Sequence, residues 1–239
     1  MKQLKGSLKV FVGIPFLKTG KECEQYLSEA IKSINQQETS VKMLPVCVVG
    51  QGRLRDTQKV RVAKTLNFLV AEFLKTDSTH IFIGNADTTY PKDTIDRLIR
   101  LDVDLASGVS PGHADWNNIV VGTEKDKGGI DWLRRSDIVG RVIGENEIVS
   151  TGNYCILAKR RLFKRHFDDQ APLRWRTKKE HGRRLYGAEL QFWIDAYETG
   201  FKTRIDGSVS CGHLPEFPLD FEGYPDKVFI KIRAQKWTK

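Results

Sequence analysis

Four apolar, β-branched runs in the first half of the chain, with helical stripes between them, restrict it to an α/β sheet. Leu8 to Ile14 (LKVFVGI) is the first run, and Pro15 ends it. Pro45 to Val49 is closed by Gly50-Gln51-Gly52, His80 to Ile83 runs into Gly84-Asn85-Ala86-Asp87, and Asp104 to Val109 is the fourth. Between them lie segments with a period near 3.6. Leu27, Ile31 and Ile34 share a face within Glu22–Asn35, and Val62, Leu66, Leu69, Val70 and Phe73 do so within Thr57–Lys75. After Pro91, which suits a helix start, Ile95, Leu98 and Ile99 repeat the pattern. Alternating strands and helices imply a mainly parallel sheet with helices on both faces. Such sheets bind ligands outside the carboxyl ends of their strands, so the turns after Ile14, Val49 and Ile83 are where a site is expected.

The second half is less regular. Gly108 to Gly152 holds several glycines and short apolar runs, as hairpins and loops do. Tyr154 to Ala158 reads as a strand, Arg160 to His166 as a short helix, and Arg174 to Arg184 as a loop without periodicity. Ala188 to Glu198 places Leu190, Trp193, Ile194 and Tyr197 on one helical side, with Gly200 as its C-cap, and Lys202 to Val209 is a further strand. Neither an internal repeat nor a low-complexity linker divides the 239 residues, which are expected to form one domain.

Composition excludes several classes. No apolar run approaches the ~20 residues of a membrane span. The basic start, Met1 to Lys9, lacks the apolar stretch of a secretory signal, so the expected location is cytoplasmic. Cys23, Cys47, Cys155 and Cys211 are too far apart for a zinc knuckle or a dense disulfide framework. The formal charge is +9, and Lys159 to Arg184 alone carries 11 Lys/Arg against three acids. That concentration points to an anionic partner. The tail Lys227 to Lys239 interleaves basic and apolar residues and is a candidate peripheral membrane contact, a plain C-terminal strand being the simpler reading.

Chemistry concentrates at Ile81-Phe82-Ile83-Gly84-Asn85-Ala86-Asp87. An apolar strand ending in Asn-x-Asp sends Asn85 and Asp87 the same way, an arrangement able to hold a hard divalent cation through oxygen. The tryptophans Trp116, Trp132, Trp175, Trp193 and Trp237 are candidates for lining a sugar-binding groove, Trp193 being better suited to the core.

The stretch Val62 to Pro111 resembles the family 2-like glycosyltransferases of the GT-A class. A helix carrying Asn67 precedes an apolar strand, a D-x-D-like Asn85-Ala86-Asp87, a Pro-led helix and the strand containing Ser107-Gly108-Val109. Gly187-Ala188-Glu189-Leu190-Gln191-Phe192 resembles the family's G-E-D-x-x-F helix start. Ala196 to Phe201, then Val209-Ser210-Cys211-Gly212-His213, resemble its ending. The matches run from about Val10 to Leu214, most of the chain.

The resemblance implies a Rossmann-like GT-A domain with a nucleotide-sugar-binding half at 8–111, an acceptor and catalytic half at 112–214 and a tail at 215–239. It also implies an inverting, metal-assisted transfer of the hexosyltransferase class, from a UDP- or GDP-sugar to a glycan, lipid or protein acceptor. Asp87 and His213 match the family's ligands for Mn²⁺ or Mg²⁺, and Glu189 stands where the family has its general base. Pro15, Asn67, Asn85 and Asp87 fall in the donor nucleotide region. Asn85 replaces the first acid of D-x-D and brings no charge, and Glu189 is one methylene longer than the usual Asp. The cations Arg174, Arg176, Lys178, Lys179, Arg183 and Arg184, just ahead of Glu189, are candidates for a lid over the diphosphate.

Two other classes compete. A nucleotidyltransferase would carry a glycine-rich loop after the first strand, whereas this turn reads Pro15-Phe16-Leu17-Lys18-Thr19-Gly20. A basic nucleic-acid-binding protein fits the pI near 9.4 but has no recognition motif here, so no specific nucleic acid is expected. A catalytically degenerate nucleotide-binding protein is the remaining alternative.

Overall fold

The chain builds one central eight-stranded sheet in a computed structural model that describes residues 8–16, 21–49, 58–111, 118–124, 130–145, 147–164, 174–176 and 187–214. The first half alternates as its hydrophobic pattern requires. β1 (Lys9–Pro15), α1 (Lys21–Asn35), β2 (Lys42–Met43), β3 (Cys47–Val49), α2 (Gln58–Lys75), β4 (His80–Gly84), β5 (Thr88–Thr89), α3 (Thr94–Arg100) and β6 (Leu105–Val109) follow in order. The second half adds β7 (Asn118–Glu124), β8 (Ile130–Arg134), α4 (Arg135–Ile138), β9 (Val142–Ile143), β10 (Val149–Thr151), β11 (Cys155–Lys159) and α5 (Arg160–Lys164). It closes with α6 (Ala188–Glu198), β12 (Thr203–Ser210) and β13 (Gly212–His213).

In the main sheet the order is β2-β1-β4-β11-β6-β12-β9, with β3 also paired to β1. β1 runs parallel to β2, β3 and β4, and β6 runs parallel to β12. Between these parallel groups β11 is inserted antiparallel, pairing Cys155 with Gly84 and Ile156 with Ser107. The result is a mixed, mainly parallel α/β sheet. β10, β7 and β8 form a separate antiparallel sheet.

Each central strand is buried on both faces, and successive side chains serve opposite layers. Phe11, Ile81, Ile83 and Ile156 face a core completed by Leu66, Leu69 and Phe73 of α2, Phe163 of α5 and Phe192 of α6. Val10, Val12, Phe82 and Leu157 face the other way, against Ile34 of α1 and Ile95 and Leu98 of α3. Sequence periodicity had marked the stripes of α1, α2 and α3, whereas Phe163 of α5 and Phe192 of α6 lay outside any marked stripe. The strand expected at Pro45–Val49 pairs only from Cys47, preceded by the separate two-residue β2. Gly200 ends α6 at φ +79°, where its freedom from a Cβ lets Phe201 N–H reach Ala196 O at 3.0 Å. No helix among the described residues is long and apolar enough to cross a membrane.

Candidate functional site

The carboxyl ends of β1, β3, β4, β6 and β12, with the start of antiparallel β11, gather along one edge of the sheet. β4 delivers five buried residues and then turns at Asn85-Ala86-Asp87. One buried phenol holds that turn. Tyr90 Oη accepts Asn85 N–H at 2.6 Å, and its own proton faces Tyr154 O at 2.9 Å and Asn85 O at 3.2 Å. Burial, reinforced by the Cys155 and Cys211 thiols, pushes the Tyr90 phenol well above its ordinary range, so it stays a neutral donor. Its ring meets Phe82 edge-on at 5.3 Å. Gly84 is what admits it: a Cβ there would stand 2.6 Å from Tyr90 Oη.

A short antiparallel ribbon completes the edge. β13 pairs with β5, setting His213 opposite Thr88 and Gly212 opposite Thr89, and Leu214 N–H donates to Asp87 O at 2.7 Å. Two residues far apart in sequence thereby meet, with His213 Nε2 3.6 Å from Asp87 Oδ2. His213 is buried and Asp87 is 31% exposed, so the pair is lined on the protein side and open on the other. Adjacent ligands each about 2.1 Å from one cation stand about 3.0–3.4 Å apart, close to this separation. A carboxylate with an imidazole suits a divalent first-row ion such as Mn²⁺. Among the described residues no group of three or more His, Cys, Asp and Glu side chains could hold a metal. A cation here would therefore need ligand oxygens and water to fill its shell, as ions shared with a diphosphate do.

The other expected site residues are placed as follows. Asn85 lies on the same turn as Asp87, its backbone fixed by Tyr90. Pro15 ends β1 opposite Val49, and Phe16 N–H reaches Val49 O at 2.8 Å. Glu189 is half-buried in the first turn of α6, its Oε2 lying 2.9 Å from where a Cβ on Gly187 would stand. Asn67 is engaged within the protein. Its Nδ2 donates to Trp175 O at 2.9 Å and its Oδ1 accepts Trp175 N–H at 3.0 Å. Of the expected lid, Arg174 is exposed, while Arg176 pairs at 2.7 Å with buried Asp195, whose other oxygen accepts Gln191 Nε2 at 2.9 Å. Lys178, Lys179, Arg183 and Arg184 lie outside the described residues, as do Trp116, Trp237 and the basic tail.

No protein-family model and no curated protein sequence matches the chain. Among solved structures, A197 from STIV aligns at TM-score 0.52 and 10% identity, covering 90% of this chain and 91% of that one. The fold is shared with A197. At that identity the likeness concerns architecture alone. The crystal structure of TarS 1-349 from S. aureus aligns at TM-score 0.46 and 11% identity, and the same protein in complex with UDP at 0.47 and 10%. These alignments cover 83% of this chain but 58% and 57% of TarS, and similarity at that level carries no functional argument.

Tyr90, which shapes this edge, was not singled out by the sequence pattern, and Trp175 was singled out for a different role. Tyr90 was legible only as an aromatic inside a polar turn. Trp175, a candidate groove residue, is instead 1% exposed, stacked on Phe192 at 3.9 Å between ring centres and 6° between planes. An aromatic flanked by Arg174 and Arg176 in an otherwise polar stretch was the signal. Trp193 is fully buried, as its helical spacing required, and Trp132 is 55% exposed on β8.

Proposed function

We propose that the chain is a metal-assisted glycosyltransferase, moving a sugar from a UDP- or GDP-linked donor to an acceptor hydroxyl. The observation that supports this is the convergence of Asp87 and His213 beside the Asn85 turn, on the edge where open α/β sheets take ligands. Asp87 Oδ2 and His213 Nε2 are the groups that would hold a divalent cation. When bound, that cation supplies charge neutralisation to the departing diphosphate. Tyr90 fixes the backbone of the turn, so Asp87 need not be reorganised when ligand arrives. Glu189, at the first turn of α6, takes the proton of the attacking acceptor hydroxyl. Removal of that proton from the face opposite the leaving diphosphate gives inversion in a single displacement.

The alternative of a basic nucleic-acid-binding protein loses part of its footing, because Arg176 is satisfied by Asp195 inside the fold. The test is release of nucleoside diphosphate from UDP-glucose, UDP-N-acetylglucosamine and GDP-mannose, with Mn²⁺ and a mixture of candidate glycan acceptors. Turnover that falls ~10²- to 10⁴-fold in Glu189→Gln supports the reading. Turnover that ignores that substitution and chelation of the metal refutes it.

A further inference from the structure

A buried amide near the Asn85–Asp87 turn is held in a fixed orientation with its donor end unsatisfied. Asn153 lies two residues before Cys155, which pairs with Gly84 at the end of β4, so the chain at 153 runs beside the turn at 85–87. Asn153 is 9% exposed, and its Oδ1 accepts the indole N–H of Trp175 at 3.0 Å. An indole nitrogen only donates, so the atom facing it must be the amide oxygen. Nδ2 therefore faces away from Trp175, and there it has no hydrogen-bond partner among the described residues.

Such a donor costs about 1–3 kcal/mol when left unsatisfied. This one is nevertheless held firmly. Trp175 is fixed through its backbone by both ends of the Asn67 amide and through its ring by Phe192. The next residue along, Tyr154, accepts the Tyr90 hydroxyl that holds the turn. The orphan amide, held by Trp175, thus adjoins the residue that Tyr90 ties to the Asn85 turn, two positions before Asp87.

We infer that Asn153 Nδ2 donates to a hydroxyl of the sugar being transferred, with Trp175 and Asn67 as the positioning residues that aim it. The inference rests on the donor-sugar reading above. A neutral amide backed by an aromatic wall suits a hydroxyl better than a phosphate, whose charge would be met by the cation that Asp87 and His213 hold. The sugar is attached directly to the diphosphate, so with the diphosphate held at the 85–87 turn the sugar would sit close to the chain at 153. A site built around a hydroxyl also discriminates against ligands that lack it.

The test uses the full chain with Mn²⁺ and calorimetric Kd values for UDP, UDP-glucose, UDP-N-acetylglucosamine, GDP and GDP-mannose. The quantity read is the ratio of each sugar nucleotide's Kd to that of its own diphosphate. Asn153→Ser is expected to raise the ratio roughly 3- to 10-fold for the sugar used, with diphosphate binding unchanged. Trp175→Phe keeps a ring against Phe192 but releases the amide, and a smaller rise in the same direction is expected. It carries the test if the serine variant does not fold. A role confined to packing, or an amide that merely faces a trapped water, would lower Tm and leave the ratio at its wild-type value, overturning the inference alone. If wild type binds none of the five nucleotides, the donor-sugar reading falls and the inference falls with it.

Discussion

Replacing Tyr90 with phenylalanine removes a single oxygen and tests how the Asn85–Asp87 turn is held. The ring remains, and with it the edge contact to Phe82. Lost are the 2.6 Å bond from Asn85 N–H and the 2.9 Å bond to Tyr154 O. Tyr154 is buried and Asn85 half-buried, so neither group recovers a full complement of water. Each orphaned group costs about 1–3 kcal/mol, less for the more exposed one, and together they predict a loss of about 2–4 kcal/mol. In a chain of this size that is a fall in Tm of roughly 4–16 °C. Denaturant unfolding of wild type and Tyr90→Phe at matched conditions reads it directly. The Mn²⁺-dependent stabilisation should shrink in parallel, because Asp87 sits on the loosened turn. A change below about 0.5 kcal/mol would refute the claim that Tyr90 holds the site, since that is the ordinary scatter of a neutral substitution.

Three further outcomes follow from the same geometry. Gly84→Ala forces a Cβ to within 2.6 Å of Tyr90 Oη, and should destabilise by about 1–3 kcal/mol while leaving Tyr90→Phe less sensitive to the added methyl, which a double-mutant cycle measures. His80 is held neutral, mainly by burial and secondarily by Lys159, which together bring it from 6.5 to about 4. Its folded value lies below its unfolded one, so its contribution is complete above about pH 6.5 and is lost as pH falls toward 4. That amounts to about 2–3 kcal/mol over the interval, and His80→Gln should flatten the acid limb of the stability profile. Arg176→Ala strips a partner from buried Asp195, and a loss of about 1–3 kcal/mol in urea unfolding is expected; no change would mean the pair is idle.

How far the sequence reached depended on whether information was local. α2 and α6 were legible because Leu66, Leu69 and Phe73, and Leu190, Trp193, Ile194 and Tyr197, repeat at helical spacing; all are buried except the half-buried Leu190 and Tyr197, while Phe192 lay outside the marked stripe. The strand at Cys155–Lys159 was recognised, but not its antiparallel place between β4 and β6. A strand buried on both faces reads the same in either direction, so its hydrophobic pattern says nothing about neighbour or polarity. The β5–β13 ribbon was invisible for a related reason: Thr88–Thr89 and Gly212–His213 are too short to show any period. Asp87 and His213 were nonetheless picked out by resemblance, and the ribbon brings them together. Asn67 was picked out the same way, yet its amide is engaged by Trp175, a contact over 108 positions that no local pattern encodes. The role of Arg176 was likewise hidden, because Asp195 presents itself in sequence as one more polar residue of a helix.

The account turns on Asp87 and His213 acting together on a cation shared with a nucleoside diphosphate. The most direct test is the thermal shift of wild type, Asp87→Ala and His213→Ala with UDP or GDP, each with and without Mn²⁺. Stabilisation of wild type that needs both nucleotide and metal is predicted, about 2–3 kcal/mol at 100-fold excess over Kd, and lost in either variant. Equal nucleotide binding by all three proteins, or stabilisation indifferent to Mn²⁺, would contradict it.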